Sequence, residues 1–172
     1  MDAMTKDLNG LYYKLLCPRV VAIIVSLRPD GKPNAMVAAW HTPISVNPPI
    51  VAIAIAPSRF THKLIQNSGE FTINIPDKTL TEQIEVAGYN SGEHMDKSAL
   101  FKYAPSKILK TPIIEDAIGV IECKLNRMLE MGDHSVVFGN IVSVSAKGFG
   151  EVWRTSTPLL HLGTNFYTEL KK

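Results

Sequence analysis

The sequence has few of the features that mark specialised classes of protein. Its 172 residues include only two cysteines, Cys17 and Cys123, and no CxxC pair, so neither a disulfide framework nor a cysteine-rich metal site is indicated. The longest clear apolar run, residues 50–56, is far too short to cross a bilayer. The formal net charge is +2 without a dense lysine or arginine run, which disfavours nucleic acid as a partner.

Common catalytic and nucleotide-binding motifs are absent as well. We find no GxGxxG, P-loop, HExxH or GxSxG sequence, and the five histidines lack metal-ligand spacing, so no metal is expected. The opening residues, MDAMTKD, are polar and acidic and do not form a secretory signal. We therefore expect a cytoplasmic protein with reduced thiols and no membrane partner.

A β-rich pattern fills a chain whose length suits one domain, and we expect that domain to span 1–172. Residues 20–27 are β-branched and apolar and predict a buried strand. The next segment, RPDGKP (28–33), predicts a hairpin turn in which Asp30-Gly31 supplies positive φ. Further strands are predicted at 34–42, 48–56, 71–76, 117–125 and 134–146.

Two short helices interrupt the strand pattern. The apolar period changes over 58–70, where Gly69 is a stop signal, so a helix is predicted that begins near Ser58 or Thr61. A capping-box spacing at the start of 79–88 predicts the second helix, ended by its glycine.

The predicted architecture is mainly β. Turns rather than crossover helices join the long strands, which favours an antiparallel, Greek-key-like closed or split barrel with a few short helices. The segment MLEMGD (128–133) is interpreted as the link between the last two long strands. The apolar and aromatic tail, residues 157–170, is expected to pack on the body of the protein.

The stretch PNAMVAAW (33–40) is unusual because it places three alanines in a predicted strand. Small side chains would let either another strand or a ligand approach the backbone closely. Other polar and aromatic residues have ordinary interpretations when taken singly. These are Trp40 in the core, Asn34 after a turn, Thr61 at a helix cap, Lys97 in solvent and His134 incidental before a strand.

Taken together, the same residues indicate a flat, aromatic, anionic ligand. The helix start around Ser58 offers free backbone N–H groups to an anion. Arg59 and Lys97 could neutralise a phosphate.

The sequence resembles the flavin reductase-like proteins of the FMN-binding split-barrel group, which includes flavoredoxins and ferric or flavin reductases. The similarity runs from about Pro18 to Tyr167. Four pieces carry it: DGKPNAMVAAWHTPISVNPPIVAIAI, SRFTHKLIQNSGEFTINIP, GDHSVVFGNIVSV and PLLHLG. The resemblance implies an FMN-binding split β-barrel, non-covalent FMN, and a homodimer with the FMN site at or near the subunit interface.

The resemblance also implies roles for individual residues. Asn34 and Trp40 match positions that touch the flavin, and Thr61 matches one beside the phosphate. Lys97 matches a cation that contacts FMN, and His134 matches a histidine implicated in nicotinamide binding. The resemblance also matches Tyr167 or Phe166 to an aromatic residue near the ring. With Ser58 and Arg59 from the anion pattern and the small Ala38 and Ala39, the predicted cofactor-binding set is Asn34, Ala38, Ala39, Trp40, Ser58, Arg59, Thr61, Lys97 and either Tyr167 or Phe166, with His134 as the catalytic residue.

The function implied by the resemblance is NAD(P)H-dependent reduction of flavin or ferric iron through bound FMN, with a small-molecule or protein electron acceptor. One alternative is an electron carrier reduced by a protein partner. Another, from a different class, is a non-enzymatic β-barrel binding module. Nucleic-acid binding in the manner of an OB-fold is disfavoured because basic and aromatic residues are not clustered.

Overall fold

The structure is a computed structural model that describes residues 9–170. The strands are β1 Arg19–Val20, β2 Ala22–Leu27, β3 Pro33–Ala38, β4 His41–Val46, β5 Pro49–Ile55, β6 Glu70–Ile75, β7 Tyr103–Ala104, β8 Ile113–Ile114, β9 Gly119–Met131, β10 His134–Ala146, β11 Leu160–Gly163 and β12 Phe166–Thr168. The α-helices are α1 Phe60–Ser68 and α2 Thr81–Tyr89, and 3-10 segments occupy Asn9–Leu16 and Lys78–Leu80.

Seven strands form one antiparallel sheet in the order β3-β2-β6-β9-β10-β5-β4. Two small sheets, β1-β11-β12 and β7-β8, accompany it. The mainly β, antiparallel fold with few helices is confirmed. No helix in the described part of the chain has the length and apolar character needed to cross a membrane. The opening residues that were interpreted as lacking a secretory signal lie outside the described range.

The sheet curves so that its two edge strands, β3 and β4, meet at a bend in the chain. The bend is at Ala39 and Trp40, and the Trp40 carbonyl accepts a hydrogen bond from the Ala54 N–H at 2.9 Å. The prediction of one continuous strand over 34–42 is therefore wrong. Before the bend the chain pairs with β2, and after it the chain pairs with β5. Because the hydrogen-bonding partner changes, the strand is interrupted at the bend.

The core has two parts, one on each face of β2. Val21, Ile23 and Val25 contribute to a cluster that includes residues of α2 and the tail. Ala22 and Ile24 contribute to a cluster that includes residues of β5, β6 and α1. A strand covered on both faces has an uninterrupted apolar sequence, which explains the composition of this segment.

Several local predictions are confirmed. The turn after β2 has Gly31 at φ 80°, and the Gly31 N–H donates to the Arg28 carbonyl at 2.9 Å. Helix α1 ends at Gly69, whose φ of 71° is the left-handed cap expected of glycine. The tail packs on the body, since Leu159 and Leu160 are buried.

Two other local predictions are wrong. Residues 128–131 are not a linker but the end of β9, which pairs with β10 up to a tight turn containing Gly132. The predicted capping box of the second helix does not form. Asp77 accepts from the Thr79 N–H at 2.9 Å and caps a 3-10 turn, so α2 starts later and continues through Gly88.

Candidate functional site

A groove follows the outer edge of β3, which pairs with β2 on one side only. We call it the edge groove. It consists of three adjoining cavities, all of which Val37 lines. The cation end includes Arg59, Phe60, Ala87, Gly88, Asn90, Ser91, Gly92 and Lys97. The aromatic end includes Ala38, Ala39, Trp40, Ala54, Ile55, Ala56 and His134, and the tail pocket adds Val21, His161 and Tyr167.

The backbone of β3 presents polar groups to this groove. Lys97 Nζ donates to the Ala35 carbonyl at 2.9 Å, so that carbonyl points away from β2. In an antiparallel strand the N–H and C=O of alternate residues point the same way. The N–H and C=O of Val37 therefore also face the groove, where a ligand with a matching donor and acceptor edge can pair with them.

Beneath the cation end, Asn34 and Thr61 form a buried pair. Asn34 is 2% exposed, and its Nδ2 donates to the Thr61 hydroxyl at 2.9 Å and to Ser26 Oγ at 3.3 Å. The Thr61 side chain is thus turned inward, and its interpretation as a helix cap is wrong. Among the described residues, Asn34 Oδ1 is buried without a hydrogen-bond partner, and the Gly92 backbone packs directly over it. Neither Asn34 nor Thr61 lines any of the three cavities.

Lys97 is buried rather than solvated, since it is 3% exposed. Its ammonium donates to Ala35 O and, at 2.8 Å, to Ala87 O, and so joins β3 to α2. Burial, with a smaller contribution from nearby Arg59, lowers the pKa of Lys97 to about 8. An ammonium has three donors, of which two are occupied here.

The cation end carries the positive charges of Arg59 and Lys97. Within residues 9–170, neither Arg59 nor Lys97 forms an ion pair. Arg59 precedes α1 in an extended conformation with no side-chain capping bond, so the first backbone N–H groups of the helix are not capped by a side chain. Ser58 is exposed and does not line any of the three cavities. The arrangement favours an anion.

The aromatic end is built around Trp40 and His134. Their rings stack with centroids 5.0 Å apart and an interplanar angle of 28°. The Asp133 carboxylate accepts from His134 Nδ1 at 2.8 Å, which leaves Nε2 for another partner. Ala38 and Ala39 line the same cavity with small side chains, so a flat ring can approach the backbone there.

The tail pocket favours one of the two aromatic residues, Tyr167 and Phe166, that were predicted to lie near the ring of the ligand. Tyr167 lines it beside His161, whereas Phe166 is 68% exposed and lines none of the three cavities. Burial raises the pKa of the Tyr167 hydroxyl, with Glu85 and Tyr89 adding to the effect. Tyr167 is therefore the better candidate.

The structure adds groove residues that sequence reasoning missed. Val37 is central to the groove, and the segment 88–92 forms a wall of the cation end. Nothing in the local sequence distinguishes Val37. The polar, glycine-containing stretch GYNSGE (88–93) is a signal from which the wall could have been predicted. Within the described residues, no three His, Cys, Asp or Glu side chains are grouped so that they could hold a metal ion.

Comparison with known proteins gives consistent matches. Residues 14–169 match the flavin reductase like domain family. A flavin reductase of Pseudomonas putida is 31% identical over 124 residues, 72% of this chain and 71% of that protein. An FMN-binding protein from Thermus thermophilus, solved with p-hydroxybenzaldehyde, is 26% identical with a TM-score of 0.84, covering 98% of this chain and 94% of the other.

A second solved structure, the flavoredoxin of Desulfovibrio vulgaris (Miyazaki F), is 25% identical with a TM-score of 0.83 and the same coverage, 98% and 94%. The similarity therefore extends over the barrel, the groove and the tail. On these matches, the chain belongs to the flavin reductase like domain family.

Proposed function

We propose that this protein is an FMN-binding oxidoreductase that takes reducing equivalents from NAD(P)H and passes them to flavin or ferric iron. Family membership supports a flavin-binding oxidoreductase. The observation that carries the proposal is the edge groove. Along the outer edge of β3 it connects two cations that form no ion pair within residues 9–170 to an aromatic end.

The residues of the groove fit a flavin mononucleotide. Arg59 and Lys97 suit its phosphate. Asn34 lines none of the three cavities, and beneath Gly92 it is proposed to support the wall of the cation end. The outward N–H and C=O of Val37 suit the polar edge of the ring, and the alanines beside Trp40 leave space for its face.

When bound, FMN supplies the redox chemistry. The protein contributes binding, orientation and electrostatics. Lys97 and Arg59 neutralise the phosphate, and the β3 edge fixes the direction of the ring. His134 Nε2, with Nδ1 held by Asp133, is proposed to position the nicotinamide and to donate or accept a hydrogen bond at the polar edge of the ring.

An anaerobic spectrum tests the proposal. Purified protein incubated with FMN is expected to retain flavin absorbance, which NADH or NADPH then bleaches. Protein that retains no flavin after incubation would instead indicate the non-enzymatic β-barrel binding module. The cytoplasmic location proposed from the sequence is tested separately by fractionation.

A second candidate is an electron carrier reduced by a protein partner. The similarity to a flavoredoxin favours it. Retained flavin that neither nicotinamide bleaches, but that a reduced protein partner does bleach, would select this candidate over the first.

We further propose a homodimer with its FMN site near the interface. Edge strand β4 exposes Ile44 and Val46, and the segment before β1 exposes Leu15 and Leu16. Both segments adjoin the aromatic end, since β4 follows Trp40 directly and the Tyr13 ring lies 5.6 Å from the Trp40 ring. Sedimentation is expected to give twice the 19.0 kDa chain mass; a monomer that binds FMN would contradict this.

A further inference from the structure

The wall that closes the cation end is an irregular segment after α2, residues 90–97, which we call the closing segment. Asn90, Ser91, Gly92 and Lys97 from it line the cavity. A ligand that continued along the groove in this direction would meet this wall.

One side chain fastens the closing segment to two other elements. Arg28, in the turn after β2, donates from Nη1 to the Gly92 carbonyl at 2.9 Å. The Arg28 guanidinium also lies over the Phe60 ring, 5.6 Å from its centroid, and Phe60 begins α1 and lines the same cavity. Arg28 thus holds the turn, the closing segment and the start of α1 together.

A second fastening lies nearer to solvent. Lys32, at the end of the same turn, forms an ion pair with Asp96 at 2.7 Å. The Asp96 carboxylate also accepts from the Ser98 N–H at 2.9 Å. The Lys32 hydrogen bond and charge hold the pKa of Asp96 well below its usual range. Because both side chains are about half exposed, salt weakens this contact, and Arg28 is the main fastening.

The closing segment also leaves no space beneath it. A Cβ placed on Gly92 would lie 1.8 Å from Asn34 Oδ1 and 3.4 Å from the Phe60 ring. The Gly92 backbone therefore rests directly on Asn34, which in turn bonds Thr61 of α1. A ligand cannot pass between Gly92 and Asn34 unless the closing segment lifts.

We propose that the closing segment, held by Arg28, limits the edge groove to flavins that end in a single phosphate and so makes the protein select FMN over FAD. The inference rests on the proposed function, with the phosphate at the cation end. FAD carries at least as much negative charge on its diphosphate, so charge alone does not favour FMN. The second phosphate and the adenosine would have to pass through the space that residues 90–92 occupy.

Titration of flavin-free protein with FMN, FAD and riboflavin tests this selection. The parent protein is expected to bind FMN at least about tenfold more tightly than FAD. Arg28→Ala releases Gly92 and is expected to reduce that ratio to about threefold or less, with riboflavin affinity unchanged because riboflavin has no phosphate. Lys78→Ala is the matched control, since it breaks the exposed Lys78–Glu169 ion pair of 3.2 Å elsewhere and is expected to keep the parent ratio.

The parent measurement keeps the inference falsifiable if Arg28→Ala does not fold. Equal affinity of the parent for FMN and FAD would overturn the inference and leave the proposed function standing. A folded Arg28→Ala protein that keeps the parent ratio would also overturn it. Failure to bind any flavin would overturn both. A smaller fall in the ratio for Asp96→Asn, greater at low salt than at high salt, would support the closing segment as the cause.

Discussion

The two ends of the edge groove differ in how far they are removed from solvent. At the cation end, Lys97, Asn34 and Thr61 are all nearly fully buried, Arg59 is exposed, and the closing segment forms one wall of the cavity. At the aromatic end, Trp40 and His134 are only partly buried. Charges act more strongly where water is excluded, whereas a second reactant needs an open face. We therefore expect the cation end to contribute most of the ligand affinity and the aromatic end to receive the second reactant.

Removing the buried ammonium should have the largest effect. Lys97→Met is expected to weaken FMN binding by about ten- to a hundredfold, because a lost hydrogen bond to a charged group is worth about 1.5–3 kcal/mol. Riboflavin should be nearly unaffected. Fluorescence titration of both ligands measures the difference.

The control for this variant is Lys63→Met, which removes an exposed cation of α1 outside the groove. Urea unfolding of Lys97→Met checks that the protein remains folded after Ala35 O and Ala87 O lose their donor. Equal weakening of FMN and riboflavin would show that Lys97 does not meet the phosphate.

At the aromatic end, His134→Ala tests chemistry rather than affinity. The variant is expected to keep most of its FMN but to be reduced by NAD(P)H at least about tenfold more slowly, equivalent to roughly 1.4 kcal/mol of barrier. Stopped-flow measurement of the reductive half-reaction decides it. An unchanged rate would make His134 a structural residue that stacks on Trp40. A parent protein that neither nicotinamide reduces would instead favour the electron carrier.

The pH dependence of FMN binding should differ from that of riboflavin, because only FMN has a phosphate to contact the cation end. Burial lowers the pKa of Lys97 to about 8, and a bound phosphate would raise it. The contribution of Lys97 to FMN affinity is therefore fully present below pH 8 and is lost as pH rises through the pKa of the complex. FMN affinity is expected to fall about fivefold between pH 7 and 9.5. Riboflavin titrations over the same range should stay flat, and a falling riboflavin affinity would contradict this assignment.

The smallest effect is expected at Asp133, which is 93% exposed. Asp133→Ala removes the carboxylate that accepts from His134 Nδ1, but water can replace it. The reductive rate should fall only about two- to threefold, since an exposed contact of this kind is worth less than about 1 kcal/mol. A loss as great as that of His134→Ala would mean that the carboxylate is essential for orienting the ring.

Local sequence patterns were sufficient for much of the barrel. The turn at Asp30-Gly31, the β5 strand and the Gly69 helix stop each depend on neighbouring residues, and all were predicted correctly. The errors lie where distant partners decide. Residues 128–131 look like a linker, but pairing with β10 extends β9 through them. The strand predicted over 34–42 is interrupted at Ala39 and Trp40, where β5 binds the Trp40 carbonyl.

In the candidate site, too, sequence patterns identified residues but not the contacts that distant segments make with them. Asn34, Lys97 and His134 were identified from motif resemblance and Arg59 from its charge beside a helix start, and the structure brings Arg59, Lys97 and His134 to the lining of one groove. Their contacts did not follow from the sequence. A lysine in a polar stretch predicts solvent exposure, yet Lys97 is held by a carbonyl 62 residues away. The roles of the site residues stay predictions.

The meeting of β3 and β4 at one bend has a consequence for folding. Hairpins β2–β3 and β4–β5 form from local contacts, but His134 and Tyr167 come from segments about a hundred residues further along the chain, whose pairing is slower. The groove is therefore complete only after the β9–β10 hairpin and the tail have docked. During refolding, flavin binding should therefore follow the recovery of secondary structure. Its time course would report when the last segments of the groove dock.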